Sequence, residues 1–187
     1  MEIAPLLEAM TVLGDPGFVL AASGGLCAML IAAGDRRTAF ALAVALAASA
    51  ALAATAKIGF MAFGPPSVHS PSGHAAMATV FLLSLGAIAP RARGLAGPLC
   101  AVFALAVAAS RVILGVHSLA EAAIGVVIGL CAFAVFSRLA THRPMIGQGP
   151  LVAGVVAALC LHVAIGARFS IEEPLEKAAS LLRGRAR

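Results

Sequence analysis

The chain has 187 residues, of which 61% are hydrophobic and only 11% are charged. Because a water-soluble domain carries roughly 25% charged residues, this composition excludes an ordinary soluble protein and indicates a chain solvated largely by lipid. A formal net charge of +5 would suggest a nucleic-acid partner for a soluble protein. Here the arginines lie in short loops and tails, which favours a part in membrane orientation and no nucleic-acid partner.

Six apolar stretches approach the roughly 20 residues that a helix needs to cross a bilayer. In chain order they are residues 17–33, 38–57, 72–89, 95–116, 118–138 and 150–167. Together they occupy nearly the whole chain and leave no room for a soluble module. We therefore predict an all-α polytopic membrane helix bundle with about six transmembrane helices, which forms a single domain over residues 1–187.

The C-terminal residues 169–187 differ from these spans because apolar and charged residues recur there at helical spacing. Glu172 and Glu173 come early in the segment and its arginines come late, an order that suits the helix dipole. The pattern predicts an amphipathic helix that lies at the membrane interface among the lipid head groups. The pattern does not determine on which side of the membrane this helix lies.

Positive charges in the loops predict the orientation of the bundle. The loops at 34–37, 90–94 and 138–149 hold the arginines Arg36, Arg37, Arg91, Arg93, Arg138 and Arg143. The positive-inside rule places these loops in the cytoplasm. The segments 57–71 and 111–121 then lie on the opposite face, which in a bacterial-type inner membrane is the periplasmic or external one.

The tetrapeptide Pro71, Ser72, Gly73, His74 opens the third span. Pro suits a first helical position, Ser suits a cap, and Gly lets backbone N–H groups approach a ligand closely. A helix N-terminus binds phosphate readily, and His74 beside it could protonate a leaving oxygen. For the tetrapeptide alone, an ordinary capped helix start with an interfacial histidine is the alternative.

A second cluster, Ser110-Arg111 followed by His117 and Glu121, lies between the fourth and fifth spans. His117 and Glu121 are four residues apart, so on a helix they share a face. The carboxylate can accept a hydrogen bond from one ring nitrogen and leave the other free as a nucleophile. Arg111 offers a planar set of donors to phosphate oxygens. The cluster therefore predicts phosphoryl transfer.

Other polar residues in the apolar spans allow more than one interpretation. Lys57 ends the second span, where it either marks a polar site or extends its ammonium group to the lipid head groups. His162, in the last span, is predicted to be a packed or interfacial histidine. The cysteines, at positions 27, 100, 131 and 160, are expected to be buried free thiols, with no disulfide or metal site.

These residues resemble the type-2 phosphatidic acid phosphatase superfamily. Its signature is Lys-x6-Arg-Pro, then Pro-Ser-Gly-His, then Ser-Arg-x5-His-x3-Asp, and the resemblance spans residues 57–121. It implies that His117 attacks phosphorus to form a phosphohistidine, that Glu121 is its partner, and that His74 protonates the leaving group. It also implies that no metal or other cofactor is needed. The residues that it assigns to phosphate binding are Lys57, Ser72, Gly73 and Arg111.

The chain departs from this signature at two positions. Gly64 stands where the first motif has arginine, which removes one cation from the phosphate site, and His69 is the only nearby candidate to replace it. This departure is compatible with weaker phosphate binding, a different substrate or a degenerate site. Glu121 stands where the last motif has Asp, and it is one methylene longer but chemically equivalent as an orienting carboxylate.

The resemblance implies a metal-independent phosphoric monoester or diphosphate hydrolase of lipid metabolism, with a lipid phosphate as substrate and membrane lipids as surroundings. A polyprenyl diphosphate and phosphatidylglycerol phosphate both fit, because the motifs select neither the lipid nor an oligomeric state. Since no soluble module would capture a polar substrate, the head group is expected to approach from the bilayer plane between helices. Two alternatives remain: a lipid phosphotransferase, and a non-catalytic phosphate-binding membrane protein or transporter.

Overall fold

Helices make up most of the part of the chain that the computed structural model describes, which is residues 4–65, 67–89, 94–140, 147–165 and 172–185. No strand occurs within these ranges, so the predicted all-α class is confirmed. A 3-10 turn, Val12–Gly14, joins the first two helices. The helices are α1 (Ala4–Thr11), α2 (Pro16–Ala32), α3 (Arg36–Phe63), α4 (Gly73–Ile88), α5 (Ala96–Ile113), α6 (Leu119–Leu139), α7 (Gln148–Ile165) and α8 (Glu172–Arg185).

All six predicted apolar stretches form helices, α2 to α7, and most of their ends lie within two or three residues of the prediction. The main difference is α3, which continues past the predicted end at Lys57 to Phe63. Helix α1, which no apolar stretch predicted, meets α2 at a bend of 50°. Within the described residues α3, α5 and α6 are long and apolar enough to cross a membrane, and the bent α1–α2 pair would make a fourth. These helices indicate an integral membrane protein, while the number of six spans stays a prediction.

Side chains cap the starts of four helices: α2, α3, α4 and α6. Asp15 Oδ1 accepts hydrogen bonds from the N–H groups of Gly17 and Phe18 at 2.8 and 3.1 Å. Asp35 accepts from Thr38, and Ser72 accepts from Ala75. Ser118 and Glu121 form a reciprocal capping box at the start of α6. Since a cap contributes about 1 kcal/mol, these residues define where the apolar helices begin.

Helix α4 lies at the centre of the bundle and packs against α2, α3, α5 and α6. Every side chain from Ala75 to Leu82 is buried, so α4 has no lipid-facing side over that length. Two glycines let α6 approach it closely. At Gly129 a Cβ atom would lie 2.6 Å from the carbonyl oxygen of Ala76, and at Gly125 it would collide with the carbonyl of Ser72. Small residues at a helix contact are the usual basis of close packing in membranes.

Contacts at the helix ends show which loops share an end of the bundle. Arg37 donates a hydrogen bond to the carbonyl oxygen of Leu139 at 2.7 Å, which brings the start of α3 and the end of α6 to one end of the bundle. At the other end, the N–H of Ser72 donates to the carbonyl oxygen of Glu121 at 3.0 Å. The loop arginines Arg91, Arg93 and Arg143 lie outside the described residues, so the predicted membrane orientation stays a prediction.

Helix α8 covers most of the predicted amphipathic tail and packs against α3, with Ala179 fully buried. Residues 169–171 and 186–187 of that tail lie outside the described residues. The position of α8 at the membrane interface stays a prediction.

The cysteines are free thiols, as predicted, but they are not all buried. Cys27 and Cys100 are half-buried, whereas Cys131 and Cys160 are exposed on the outer surface of the bundle. The prediction of burial is therefore wrong for these last two, because their helices turn one side outward along most of their length.

The close approach of α6 to α4 predicts that position 129 requires glycine. Gly129→Ala should lower the free energy of unfolding by about 1–3 kcal/mol, because the new methyl group overpacks the contact with Ala76 and Thr79. Thermal unfolding in detergent would measure the change. Gly59→Ala is the matched control, since a Cβ there meets nothing within 4 Å. Equal stability of the two variants would contradict the prediction.

Candidate active site

The Glu121 carboxylate joins two loops at one end of the bundle. Its Oε1 accepts hydrogen bonds from the backbone N–H groups of His69 and Ser70, both at 2.8 Å. Its Oε2 accepts from the N–H of Ser118 at 2.9 Å and lies 3.3 Å from His117 Nδ1. One buried carboxylate thereby holds the loop before α4, the start of α6 and a histidine ring.

His117 lies in the loop between α5 and α6, with its side chain only 7% exposed. Gly115, at φ +69°, turns the chain after α5, and the N–H of His117 donates to the carbonyl oxygen of Arg111 at 3.2 Å. Burial lowers the pKa of the His117 ring, and the charges of Lys57 and Arg111 lower it further, against the opposing effect of Glu121. The ring is therefore neutral near pH 7. Nδ1 is directed at Glu121, an arrangement compatible with the predicted role of Nε2 as a nucleophile.

The start of α4 is held against α6 through Ser72. This residue is fully buried, its N–H donates to the carbonyl oxygen of Glu121, and its own carbonyl packs against Gly125. Its hydroxyl accepts from the N–H of Ala75 at 3.3 Å. These contacts place the first turn of α4, which carries Gly73 and His74, beside the His117–Glu121 pair.

Lys57 is buried and directed towards the start of α4. Only 4% of it is exposed, and its Cε lies 3.7 Å from the position that a Cβ atom of Gly73 would take. The interpretation that Lys57 extends to the head groups is wrong, because α3 continues to Phe63 and keeps Lys57 inside the bundle.

The two cations and the two histidines predicted from the sequence lie within electrostatic reach of one another. The charges of Lys57 and Arg111 act on the rings of both His74 and His117. All seven predicted site residues therefore lie at the same end of the bundle: Lys57, Ser72, Gly73, His74, Arg111, His117 and Glu121. Their chemical roles stay predictions.

Position 64, where the signature has arginine, is a helix end in this chain. The N–H of Gly64 donates to the carbonyl oxygen of Phe60 at 2.8 Å and closes α3. A Cβ at residue 64 would lie 2.5 Å from that same oxygen, so any side chain requires the helix end to move. The candidate replacement, His69, has an exposed side chain and contacts Glu121 through its backbone N–H.

Sequence reasoning missed one ionisable residue at the site, Asp15. Its Oδ2 lies 4.0 Å from His74 Nε2, and its Oδ1 lies 3.7 Å from His162 Nε2. The ring of His162 also meets Phe18 edge-on, so the predicted packing role of His162 is only part of its environment. The available signal was Asp15 before Pro16, a helix-cap pattern at the site end of the bundle.

Comparison with known proteins gives one match. Residues 54–144 match the family model of the PAP2 superfamily, which confirms the resemblance derived from the motifs. The matched range includes every site residue predicted from the sequence. No curated protein and no solved structure matches the chain.

The carboxylate at 121 is expected to stabilise the protein as well as the site. Glu121→Gln should lower the free energy of unfolding by about 3 kcal/mol, because an amide cannot accept bonds at both ends from the backbone donors around it. Chemical unfolding in detergent would measure the loss. Glu176→Gln on α8, where the side chain is exposed, is the control and should change little. A loss no larger than that of the control would contradict the structural role of Glu121.

Proposed function

Because residues 54–144 belong to the PAP2 superfamily, we propose that this chain is an integral membrane phosphatase that hydrolyses a lipid phosphate or diphosphate through a phosphohistidine. Membership in this superfamily supports a phosphatase-type function. The observation that carries the mechanism is the His117–Glu121 pair, held beside the N-terminus of α4.

In the first step, Nε2 of His117 attacks phosphorus, a P–N bond forms, and the bond from phosphorus to the leaving oxygen breaks. Glu121 holds the proton on Nδ1 and stabilises the positive charge that develops on the ring. His74, in the first turn of α4, gives its proton to the leaving oxygen. General acid catalysis of this kind contributes roughly 100- to 10,000-fold in rate.

In the second step, water attacks the phosphohistidine and His74 accepts a proton from that water. The P–N bond breaks, phosphate leaves, and His117 returns to its neutral form. Both steps pass through a phosphoryl group with charge spread over its oxygens. Lys57, Arg111 and the N–H groups that open α4 would stabilise that charge.

A groove that adjoins this site supports a lipid as the substrate. A cavity of about 490 Å³ runs between α2 and α3 to the start of α4, a volume within the usual range for small-molecule sites. Its walls are mostly apolar, and it follows α3 from Ala43 to Lys57, which is roughly 21 Å at 1.5 Å per residue. A hydrocarbon chain in this groove would place its phosphate beside Lys57 and Gly73. The remaining lining residues are Pro16, Leu20, Ser23, Gly24, Cys27, Leu46, Ala47, Ala50, Ala53, Ala54 and Met77.

The groove also supports substrate entry from the bilayer. Leu20 and Gly24 on α2 and Ala43, Ala47 and Ala50 on α3 line it yet remain exposed on the outer surface of the bundle. A lipid could therefore enter sideways, without leaving the membrane.

We place the site on the external face of a bacterial-type inner membrane. The support is the end of the bundle opposite the site, where Arg36, Arg37 and Arg138 lie close to the contact between Arg37 and Leu139. By the positive-inside rule that end is cytoplasmic.

Phosphate release from lipid phosphates tests the proposal. Purified protein in detergent should release phosphate with EDTA present, and His117→Ala should reduce release to the level of a blank, because the nucleophile is gone. A base-stable, acid-labile phosphoenzyme should be trapped on the wild type and not on His117→Ala.

His69→Ala is the matched control, because its exposed side chain lies in the same region and its bond to Glu121 comes from the backbone. It should retain most of the activity. Release that stops with EDTA, or that survives in His117→Ala, would contradict the mechanism. Transfer of labelled phosphate to a second lipid instead of water would identify a phosphotransferase.

Filling the groove is expected to select against long chains. Ala50→Leu should lower kcat/KM for hexadecyl phosphate by about tenfold and leave that for butyl phosphate unchanged, since only the long chain needs the filled volume. Ala51→Leu is the control, because residue 51 neighbours Ala50 in the chain, is exposed and does not line the groove. Equal losses for both substrates would contradict the assignment of the groove to the lipid tail.

A further inference from the structure

Asp15 lies outside the matched family range, yet its carboxylate faces the proposed proton donor. Its Oδ1 caps α2 by accepting from Gly17 and Phe18. Its Oδ2 lies 4.0 Å from Nε2 of His74, within the range of an ion pair when the ring is protonated. The same carboxylate thus defines a helix start and meets a site histidine.

Close backbone packing holds Asp15 in this position. Its neighbour Gly14 is buried, and a Cβ atom there would lie 2.5 Å from the carbonyl oxygen of His74 and 3.0 Å from Val107. The turn that carries Asp15 therefore rests directly on the backbone of His74. Any movement of the first turn of α4 would have to move this turn as well.

The Asp15 carboxylate offsets the positive charges that surround His74. Burial and the charges of Arg111 and Lys57 disfavour a positive charge on the His74 ring, and Asp15 supplies negative charge that opposes them. A general acid must carry its proton before the leaving group departs. In a site built to hold an anion with cations, that proton needs a compensating carboxylate.

We propose that Asp15 is a positioning residue for His74, whose carboxylate holds the protonated ring so that the nitrogen turned away from it donates to the leaving oxygen. The inference rests on the proposed phosphatase function. As the bond from phosphorus to the leaving oxygen breaks, one proton passes from His74 Nδ1 to that oxygen. The ring becomes neutral, and Asp15 remains ionised throughout.

A pair of substrates that differ only in the leaving group tests this role. Hexadecyl phosphate must expel an alkoxide, which needs a proton, whereas hexadecanoyl phosphate expels a carboxylate, which does not. Both carry the same chain length for the groove. Phosphate release in mixed micelles, corrected for spontaneous hydrolysis, gives kcat/KM for each substrate.

Asp15→Asn should lower kcat/KM for hexadecyl phosphate by about tenfold or more and change that for hexadecanoyl phosphate by much less. Asn caps a helix as well as Asp does, so the variant removes the charge and keeps the start of α2. His74→Gln should show the same leaving-group dependence with a larger amplitude. Asp15→Ser, which also keeps a cap, provides a second variant if Asp15→Asn does not fold.

His162→Gln is the matched control, because it removes the other histidine on Asp15 and leaves the contact between Asp15 and His74 in place. This variant should keep the wild-type ratio of kcat/KM for hexadecyl phosphate to kcat/KM for hexadecanoyl phosphate. Equal losses on both substrates in Asp15→Asn, or no loss, would overturn the role of Asp15 while the phosphatase function stood. A wild type inactive on both substrates would instead overturn the phosphatase function and this inference with it.

Discussion

The organisation of the site depends on one buried carboxylate. Glu121 accepts three backbone N–H groups from two separate loops and contacts His117 through the same carboxyl group. A charge buried at the end of an apolar bundle is costly unless it is hydrogen-bonded. Because the Glu121 carboxylate needs these hydrogen bonds, it holds the loop before α4 against the start of α6. The residues that open α4 and the His117–Glu121 pair are thereby kept together.

Small residues on α6 and α3 determine how closely the helices around the site pack. Gly125 and Gly129 bring α6 against α4, which fixes the first turn of α4 beside His117. Between α2 and α3, the alanines of α3 leave a groove instead of a packed surface. An Ala- and Gly-rich composition thus serves close packing at one helix contact and an open volume at another.

The structure of the end of α3 accounts for glycine at position 64, where the superfamily signature has arginine. Residue 64 closes α3, and the backbone there leaves no room for a Cβ atom. The end of α3 therefore has a conformation that accommodates glycine and would have to move to accommodate arginine. The positive charge of the site then comes from Lys57 and Arg111, which act on both histidines. Asp15 adds an opposing charge from outside the region that the superfamily signature covers.

Hydropathy by itself determined the all-α class and the positions of the six apolar helices, because a chain in lipid must satisfy its backbone within each helix. The two local clusters and the family resemblance that they carry predicted the seven site residues, because a spacing of four residues and a capped helix start can be read directly from the sequence. Only the tertiary structure showed the backbone bonds of His69 and Ser70 to Glu121, the groove beside Lys57 and the position of Asp15 against His74. These features join residues about fifty or more positions apart, or different helices, and depend on packing that hydropathy does not encode.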